Sequence, residues 1–424
     1  MSPMQAPWIP DLAVSRLAGV SIFLLGALSL SLPSGYSIGA VCLLIAAGIG
    51  LFSLPRPATP MPLPVRLILA AMVVYAAFWM VDAALRGEGL REFDRPSRFL
   101  FAAICLLALT RMRVSQVWLW SGLALGASGA GGLAIWQKLV LSMDRATGTT
   151  QMVQFGNLSM LFGLLCAAGL LWARDRERFK AGWIALLALG SMLGMVASFL
   201  SGTRGAWIAL AACIPVFLLA MSGAGIRKRT LAGVVAVFVT VTGAAYLLPQ
   251  TGVSVRVGEA LEDWQQYVDG DVVEGSVSKR FEMWRGAWHL FQEKPVMGWG
   301  ETGYIQQLGA LGEGGAVSRQ AAGYTHAHND LLNALAKKGL IGGLILYSLY
   351  ILPLAWFASQ FRHAPPAQLG IAVAGVTLSV CYMAFGMSQV SFNHNSGVMV
   401  YAFLLASLVG LSAGSSSDRA GARS

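Results

Sequence analysis

Apolar runs of about 20 residues, the length that crosses a hydrocarbon core as a helix, recur along most of this 424-residue chain. They are broken by short polar connections. The pattern predicts twelve spans, near 12–31, 37–54, 65–84, 97–110, 117–136, 152–173, 182–199, 206–221, 230–248, 339–357, 367–388 and 397–413. One polar interruption, 249–338, separates the ninth from the tenth and ends in Thr325-His326-Ala327-His328-Asn329-Asp330. The expected organisation is membrane helices over 1–248, an outer loop over 249–338 carrying the chemistry, membrane helices over 339–413 and a tail over 414–424. The fold class this predicts is an all-α integral membrane protein of about twelve helices with a helical cap.

The interruption has helical periodicity of its own. Leu261, Trp264 and Val268 share one face of a helix predicted over 255–268, and Ser278 is placed to cap a second over 279–293. In that second helix Phe281, Trp284, Trp288 and Phe291 are spaced 3-4-3. Such a face rests on a membrane surface with Trp at headgroup level, which would hold Arg280 and Arg285 just above the bilayer. Lys294-Pro295 ends the helix, and Gly298-Trp299-Gly300 offers a turn where backbone can approach a ligand. Asn329 is placed as the N-cap of a helix over 329–338.

Composition agrees with a membrane reading. The chain is 56% hydrophobic and 12% charged, against about 25% charged in soluble domains. The net charge of +10 raises nucleic acid as a partner, but its distribution answers otherwise. With the N-terminus inside, fifteen Lys and Arg fall in cytoplasmic segments and seven in the short outer loops (Arg86, Arg91, Arg95, Arg98, Lys138, Arg145, Arg204), while 16 of 20 acidic residues lie outside. This bias predicts N-in and C-in, with the polar interruption outside. The basic balance therefore records topology, and no nucleic-acid partner is expected. Cys42, Cys105, Cys166, Cys213 and Cys381 all lie in apolar spans and read as small hydrophobes. The first apolar segment lacks a strongly basic leader and is expected to stay as the first helix.

Each polar motif has a plain reading beside a chemical one. Arg204, in Ser201-Gly202-Thr203-Arg204-Gly205, either snorkels to headgroups or presents its planar fork to phosphate oxygens. His326 and His328, two apart on an extended segment, make structural hydrogen bonds, or bind metal with Asp330, or act as base. A helix N-terminus disfavours imidazolium, so a neutral His328 just before Asn329 suits a general base. Asp269-Gly270-Asp271 is either a solvated turn or a divalent-ion site. His394, in Ser391-Phe392-Asn393-His394-Asn395, is a supporting polar contact at the same face.

At these residues the chain resembles the O-antigen ligase family, within the O-antigen ligase/polymerase group of bacterial membrane glycosyltransferases. The match rests on Ser201-Gly202-Thr203-Arg204-Gly205-Ala206-Trp207, on Arg280 in Ser278-Lys279-Arg280-Phe281-Glu282-Met283-Trp284 followed by Pro295-Val296-Met297-Gly298-Trp299-Gly300, and on His328-Asn329 with Gly339 and Gly342 downstream. The resemblance implies a type C-like bundle shared by lipid-linked-sugar glycosyltransferases, with a periplasmic helical cap. It implies transfer of a glycan from undecaprenyl pyrophosphate-linked O-antigen to lipid A–core oligosaccharide, at the periplasmic face of the inner membrane among membrane lipids. Arg204 and Arg280 would bind the donor pyrophosphate and His328 would be catalytic, with His326, Asn329, Arg285, Trp284 and His394 as supporting positions. Neither metal nor cofactor is implied.

Three other readings remain open on the residues. A polymerase uses the same donor but often has two substantial outer loops, where this chain has one. A protein O-oligosaccharyltransferase commonly carries a longer C-terminal extension. A lipid-linked-sugar flippase, from a different class, needs a polar path through the bundle. Spans here hold almost no ionisable residue, Asp82 lying near an outer end.

Overall fold

The computed structural model describes residues 9–55, 60–223, 239–240, 242–243, 246–248, 251–269, 275–361 and 365–420. Among these residues all regular structure is helical. In chain order the helices are α1 (Ile9–Leu28), α2 (Gly35–Ser53), α3 (Leu63–Leu85), α4 (Arg91–Leu109), α5 (Gln116–Leu139), α6 (Met152–Ala173), α7 (Lys180–Ser201) and α8 (Arg204–Gly223). Then come α9 (Val253–Asp269), α10 (Ser276–Glu293), α11 (Gly300–Glu313), the short α12 (Arg319–Ala322), α13 (Asp330–Ser359), α14 (Pro366–Gly386) and α15 (Asn395–Ala420), with a 3-10 turn over Ser391–Asn393.

Nine of the described helices, α1–α3, α6–α8 and α13–α15, are long and apolar enough to cross a membrane. The predicted fourth and fifth spans form as α4 and α5 but are not among these nine. The first turns of α4 hold Arg91, Glu92, Asp94, Arg95 and Arg98, and α5 is diluted by glycine, serine and glutamine. The predicted ninth span lies mostly outside the described residues, as do Gly270 and Asp271 of the Asp-x-Asp turn.

Helices α6, α14 and α15 form the centre, with 83%, 89% and 94% of their apolar windows buried. Around them α1, α2, α5 and α7 pack as one group, and α3, α4 and α13 as another. Small residues allow close crossings: a methyl at Gly122 would lie 2.5 Å from the Phe23 carbonyl, and one at Gly194 2.8 Å from backbone at Gly163. Outward faces carry Ile38, Val41 and Ile45, a composition suited to lipid.

The polar interruption folds over one end of this bundle with a small core of its own, made from Ala287, Leu290, Tyr304, Leu308, Val317, Ala327 and Ala336. Its helices correct one sequence expectation. Ser278 does not cap α10; Gly275 occupies that position without a side-chain cap. Asp263 of α9 reaches across instead, accepting from the Val277 and Ser278 N–H groups at 2.6 and 3.2 Å and from the Ser278 hydroxyl. A carboxylate satisfies several free N–H groups at a helix start better than one hydroxyl can. The buried face of α10 is Met283, Gly286, Ala287 and Leu290, while its aromatic face stays half-exposed, with Phe281 meeting Trp264, Tyr267 and Trp284 at centroid distances of 5.2, 5.4 and 5.2 Å. Trp288 alone of that face's tryptophans is strongly exposed.

The interruption and the helix after it are continuous. α13 starts at Asp330, with the Asn329 side chain accepting from the Leu332 N–H at 3.0 Å as predicted for a cap. It bends at Gly339, whose φ of 66° and ψ of −166° leave the helical region. A Cβ there would stand 2.1 Å from the Val296 carbonyl, so both conformation and space demand glycine. Gly298 and Gly300 are likewise in left-handed conformations, but what approaches them is the protein's own Lys337–Lys338 backbone and Arg86 and Glu88 side chains. Their closeness serves internal packing.

Candidate active site

The end of α3, the starts of α4, α6, α8, α13 and α15, and the 387–394 turn all meet at the end of the bundle that the cap covers. The Ser201–Gly205 turn is held by Arg145, which donates to the Ser201 and Gly202 carbonyls at 2.7 and 3.0 Å. Gly205 lies so close to Ser388 that a methyl would come within 2.3 Å of its hydroxyl oxygen. Arg204 is thereby fixed at the α8 N-terminus. One of its Nη atoms lies 3.6 Å from Glu259, and the other, Nη1, is buried without a hydrogen-bond partner.

Four arginines converge here. Arg256 pairs with Glu259 at 3.1 Å. Burial lowers the pKa of Arg145 to about 10, helped by the positive fields of Arg256 and Arg204. Arg280 is also lowered, first by burial and then by Arg204. Among the described residues Arg280 forms no ion pair. Glu259 therefore faces a surplus of half-buried guanidinium groups. Such a surplus favours binding of a multivalent anion.

The histidines lie beside this cluster. Ala327 is fully buried in the cap core, and its N–H donates to Asn333 at 3.3 Å. His328 takes a left-handed φ of 47°, which turns the segment and brings the two imidazoles to a centroid separation of 4.2 Å. The segment is not extended, as predicted, but bent. Tyr324 stands edge-on to His328 at 5.6 Å and lies within the field of Arg280. Burial pushes the His326 pKa down to about 3, with His328 and Lys337 adding to the effect. His394 is lowered to about 4, mainly by burial and then by Arg95. His328 is lowered by burial and next by Arg280, so desolvation and a neighbouring cation both favour the neutral ring. Gln389 interacts with both His326 and His328. Nδ1 of His328, Nε2 of His326 and Nε2 of His394 are buried with no hydrogen-bond partner, so neutral rings hold nitrogens ready for a ligand.

Of the residues singled out from sequence, Arg204, Arg280, His326, His328 and His394 come together. Arg285 does not join them: it pairs with Glu282 at 3.2 Å, donates to the Ala316 carbonyl and is 57% exposed. Trp284 packs on Phe281 with its indole N–H buried and unpartnered. Asp330 turns from the histidines to accept from the Tyr350 hydroxyl and the Ser391 N–H, at 3.2 and 3.1 Å. Arg145, Arg256, Tyr324 and Gln389 were missed. For the arginines the available signal was topological, because both fall on the same predicted face as Arg204.

Buried helices, a capped end, a polycationic cluster and adjacent imidazoles are together suited to chemistry on an anionic, membrane-borne substrate. Residues 189–347 match the family described as O-antigen ligase, which supports an O-antigen ligase/polymerase type of membrane glycosyltransferase. The matched stretch contains Arg204, Arg256, Arg280, His326 and His328 and excludes Arg145, Gln389 and His394. An uncharacterized protein of Haemophilus influenzae (strain ATCC 51907 / DSM 11121 / KW20 / Rd) is 23% identical over 382 residues, 90% of this chain and 94% of that protein. The family implies a lipid-linked polysaccharide and lipid A–core as substrates in general.

Proposed function

We propose that this protein ligates O-antigen polysaccharide from undecaprenyl pyrophosphate onto lipid A–core oligosaccharide, at the periplasmic face of the bacterial inner membrane. The observation that carries the reading is the place of Arg280, which feels the charge of Arg204 on one side and acts on His328 on the other. One cation thus links the arginine cluster, suited to a multivalent anion, to the candidate base.

In the proposed step an acceptor oxygen attacks the anomeric carbon of the donor glycan. The bond from that carbon to the pyrophosphate oxygen breaks, and the electron pair leaves with the pyrophosphate. Arg204 and Arg280 stabilise the charge that develops, in a site where burial strengthens electrostatic effects. The hydroxyl proton passes to His328, neutral and with Nδ1 free. Arginines supply the charge neutralisation that other transferases take from a divalent ion. One displacement without a protein nucleophile inverts the anomeric configuration.

The test is reconstitution of the purified protein in liposomes with undecaprenyl-pyrophosphate glycan and lipid A–core. Glycan joined to core supports ligation; a lengthened donor makes the protein a polymerase, and lipid movement without a new bond makes it a flippase. His328→Ala and Arg280→Ala should each abolish transfer in protein that still inserts. Normal ligation by either variant would sink the assignment.

A further inference from the structure

A second space, open to the outside, lies between the cap and the bundle end. A cavity of about 420 Å³ is lined by Glu88, Glu92, Glu301, Asn393, His326 and His394, and by none of the four arginines nor His328. Its volume is that of a small-ligand site. His326 therefore has two neighbourhoods: its ring lies 4.2 Å from that of His328, which borders the arginines, while it also lines this cavity.

The lining is built for hydroxyl groups. Nε2 of His326 and of His394 are buried without hydrogen-bond partners. The Glu88 side chain is 4% exposed; Oε1 accepts from the Glu301 N–H at 2.6 Å, whereas Oε2 has no hydrogen bond and only the Lys338 ammonium at 3.8 Å. Buried polar atoms of this kind can take hydrogen bonds from, or give them to, a ligand's hydroxyl groups. Thr302, Thr325 and Asn393 add hydroxyl and amide partners. Two cations also line the space, but Lys337 is already bonded to Glu301 and the Thr325 carbonyl, leaving Arg95 to face three carboxylates. Those carboxylates already crowd one another, and the Glu92 pKa is raised by burial and then by Glu301. A phosphate placed here would meet carboxylates first; a neutral polyol would meet acceptors and donors in balance.

We infer that this cavity is the acceptor site, taking a neutral, hydroxyl-rich sugar unit without phosphate or carboxylate and presenting one hydroxyl to the histidine pair. The inference rests on the glycosyl-transfer reading above. It divides the site by charge: a cationic half for the pyrophosphate and a carboxylate-lined half for the sugar that is glycosylated.

Binding and transfer test it separately. Delipidated core oligosaccharide, with neutral outer sugars, is titrated without donor into the full-length protein in detergent and followed by saturation-transfer NMR. Glu92→Gln and Asn393→Ala should each weaken its binding about tenfold, the scale of a lost hydrogen bond to a charged or amide group, while Arg280→Ala leaves it unchanged. The same core phosphorylated on its outer sugars should bind the wild type at least tenfold more weakly. In the transfer assay Glu92→Gln and Asn393→Ala should raise the acceptor KM and leave the donor KM in place. Unchanged core binding in both variants, or preference of the wild type for the phosphorylated core, overturns the inference. If core binds as expected but no glycan is joined to it, the ligase reading fails while the sugar site stands.

Discussion

His328 combines three conditions that seldom meet in one residue: a left-handed backbone, a buried ring and a neighbouring guanidinium. A non-glycine residue in that conformation costs about 1–2 kcal/mol, so glycine should be easier to hold there than alanine. His328→Gly is expected to unfold at a higher temperature than His328→Ala, both lacking transfer activity. Added imidazole should restore part of the transfer in His328→Gly and far less in His328→Lys, which fills the space. The lowered histidine pKa values set the pH response. An ordinary imidazole takes up its proton near pH 6.5, and in the folded protein His326 does so only near 3. Between those values the unfolded chain binds a proton that the folded one refuses, so stability falls as pH drops below about 6.5. Activity follows a different limit. His328 is lowered too, so the acidic limb of the kcat/KM profile should lie below pH 6.5. A limb centred at or above 6.5 would contradict a desolvated base.

At the scale of elements, two joints position the chemistry. The first is the turn from α7 to α8, clasped by Arg145. Arg145→Lys keeps a positive charge but cannot reach two carbonyls with one planar fork. Loss of a charge-assisted hydrogen bond is worth about 1.5–3 kcal/mol. The expected result is a donor KM raised by at least tenfold, with core binding unaffected. The second joint is Gly339, where α13 bends under the Val296 carbonyl. Gly339→Ala meets both the unfavourable φ and the clash, and should lower the melting temperature and displace the His326–His328 segment. A variant with unchanged melting temperature and transfer rate would show that this bend is not required. The sequence pattern placed both joints, at 201–205 and at the 338/339 boundary, but not what holds them, because a bend or a clasp depends on residues far apart in the chain: Val296 for one, Arg145 for the other.

For the whole molecule, the decisive contacts run between cap and bundle. Lys337 and Lys338 are both buried, and they bond in different directions. Lys337 holds Glu301 and the Thr325 carbonyl of the histidine segment; Lys338 holds Asp82 of α3 at 2.6 Å. Arg86 joins them, bonding Asp82 and the Met297 carbonyl, each at 2.8 Å. Removing one partner of a buried pair costs about 3–5 kcal/mol, more than replacing both. Asp82→Asn and Lys338→Met should each destabilise strongly in thermal unfolding, and the double variant should be more stable than the sum predicts. The order of apolar runs made the helical class legible, and Arg204, Arg280 and His328 were readable because their surroundings in the chain are distinctive. The clamp was not legible. In sequence Asp82 is one acidic residue at the end of a span and the lysines close a polar segment; only folding shows that they face each other. The cavity escaped for the same reason, since its walls come from the end of α3, the start of α4, α11, the histidine segment and the turn before α15.

Ala327 has a bearing on how this loop can change its length. Outer loops usually absorb insertions and deletions, because little depends on their spacing. Here a fully buried methyl sits between two ring-bearing neighbours, so alternate positions belong to opposite surroundings. Adding or removing a single residue between Thr325 and Asn329 would move the left-handed position off His328 and part the two imidazoles from the buried methyl that anchors them. Substitution can be graded at these positions; insertion cannot.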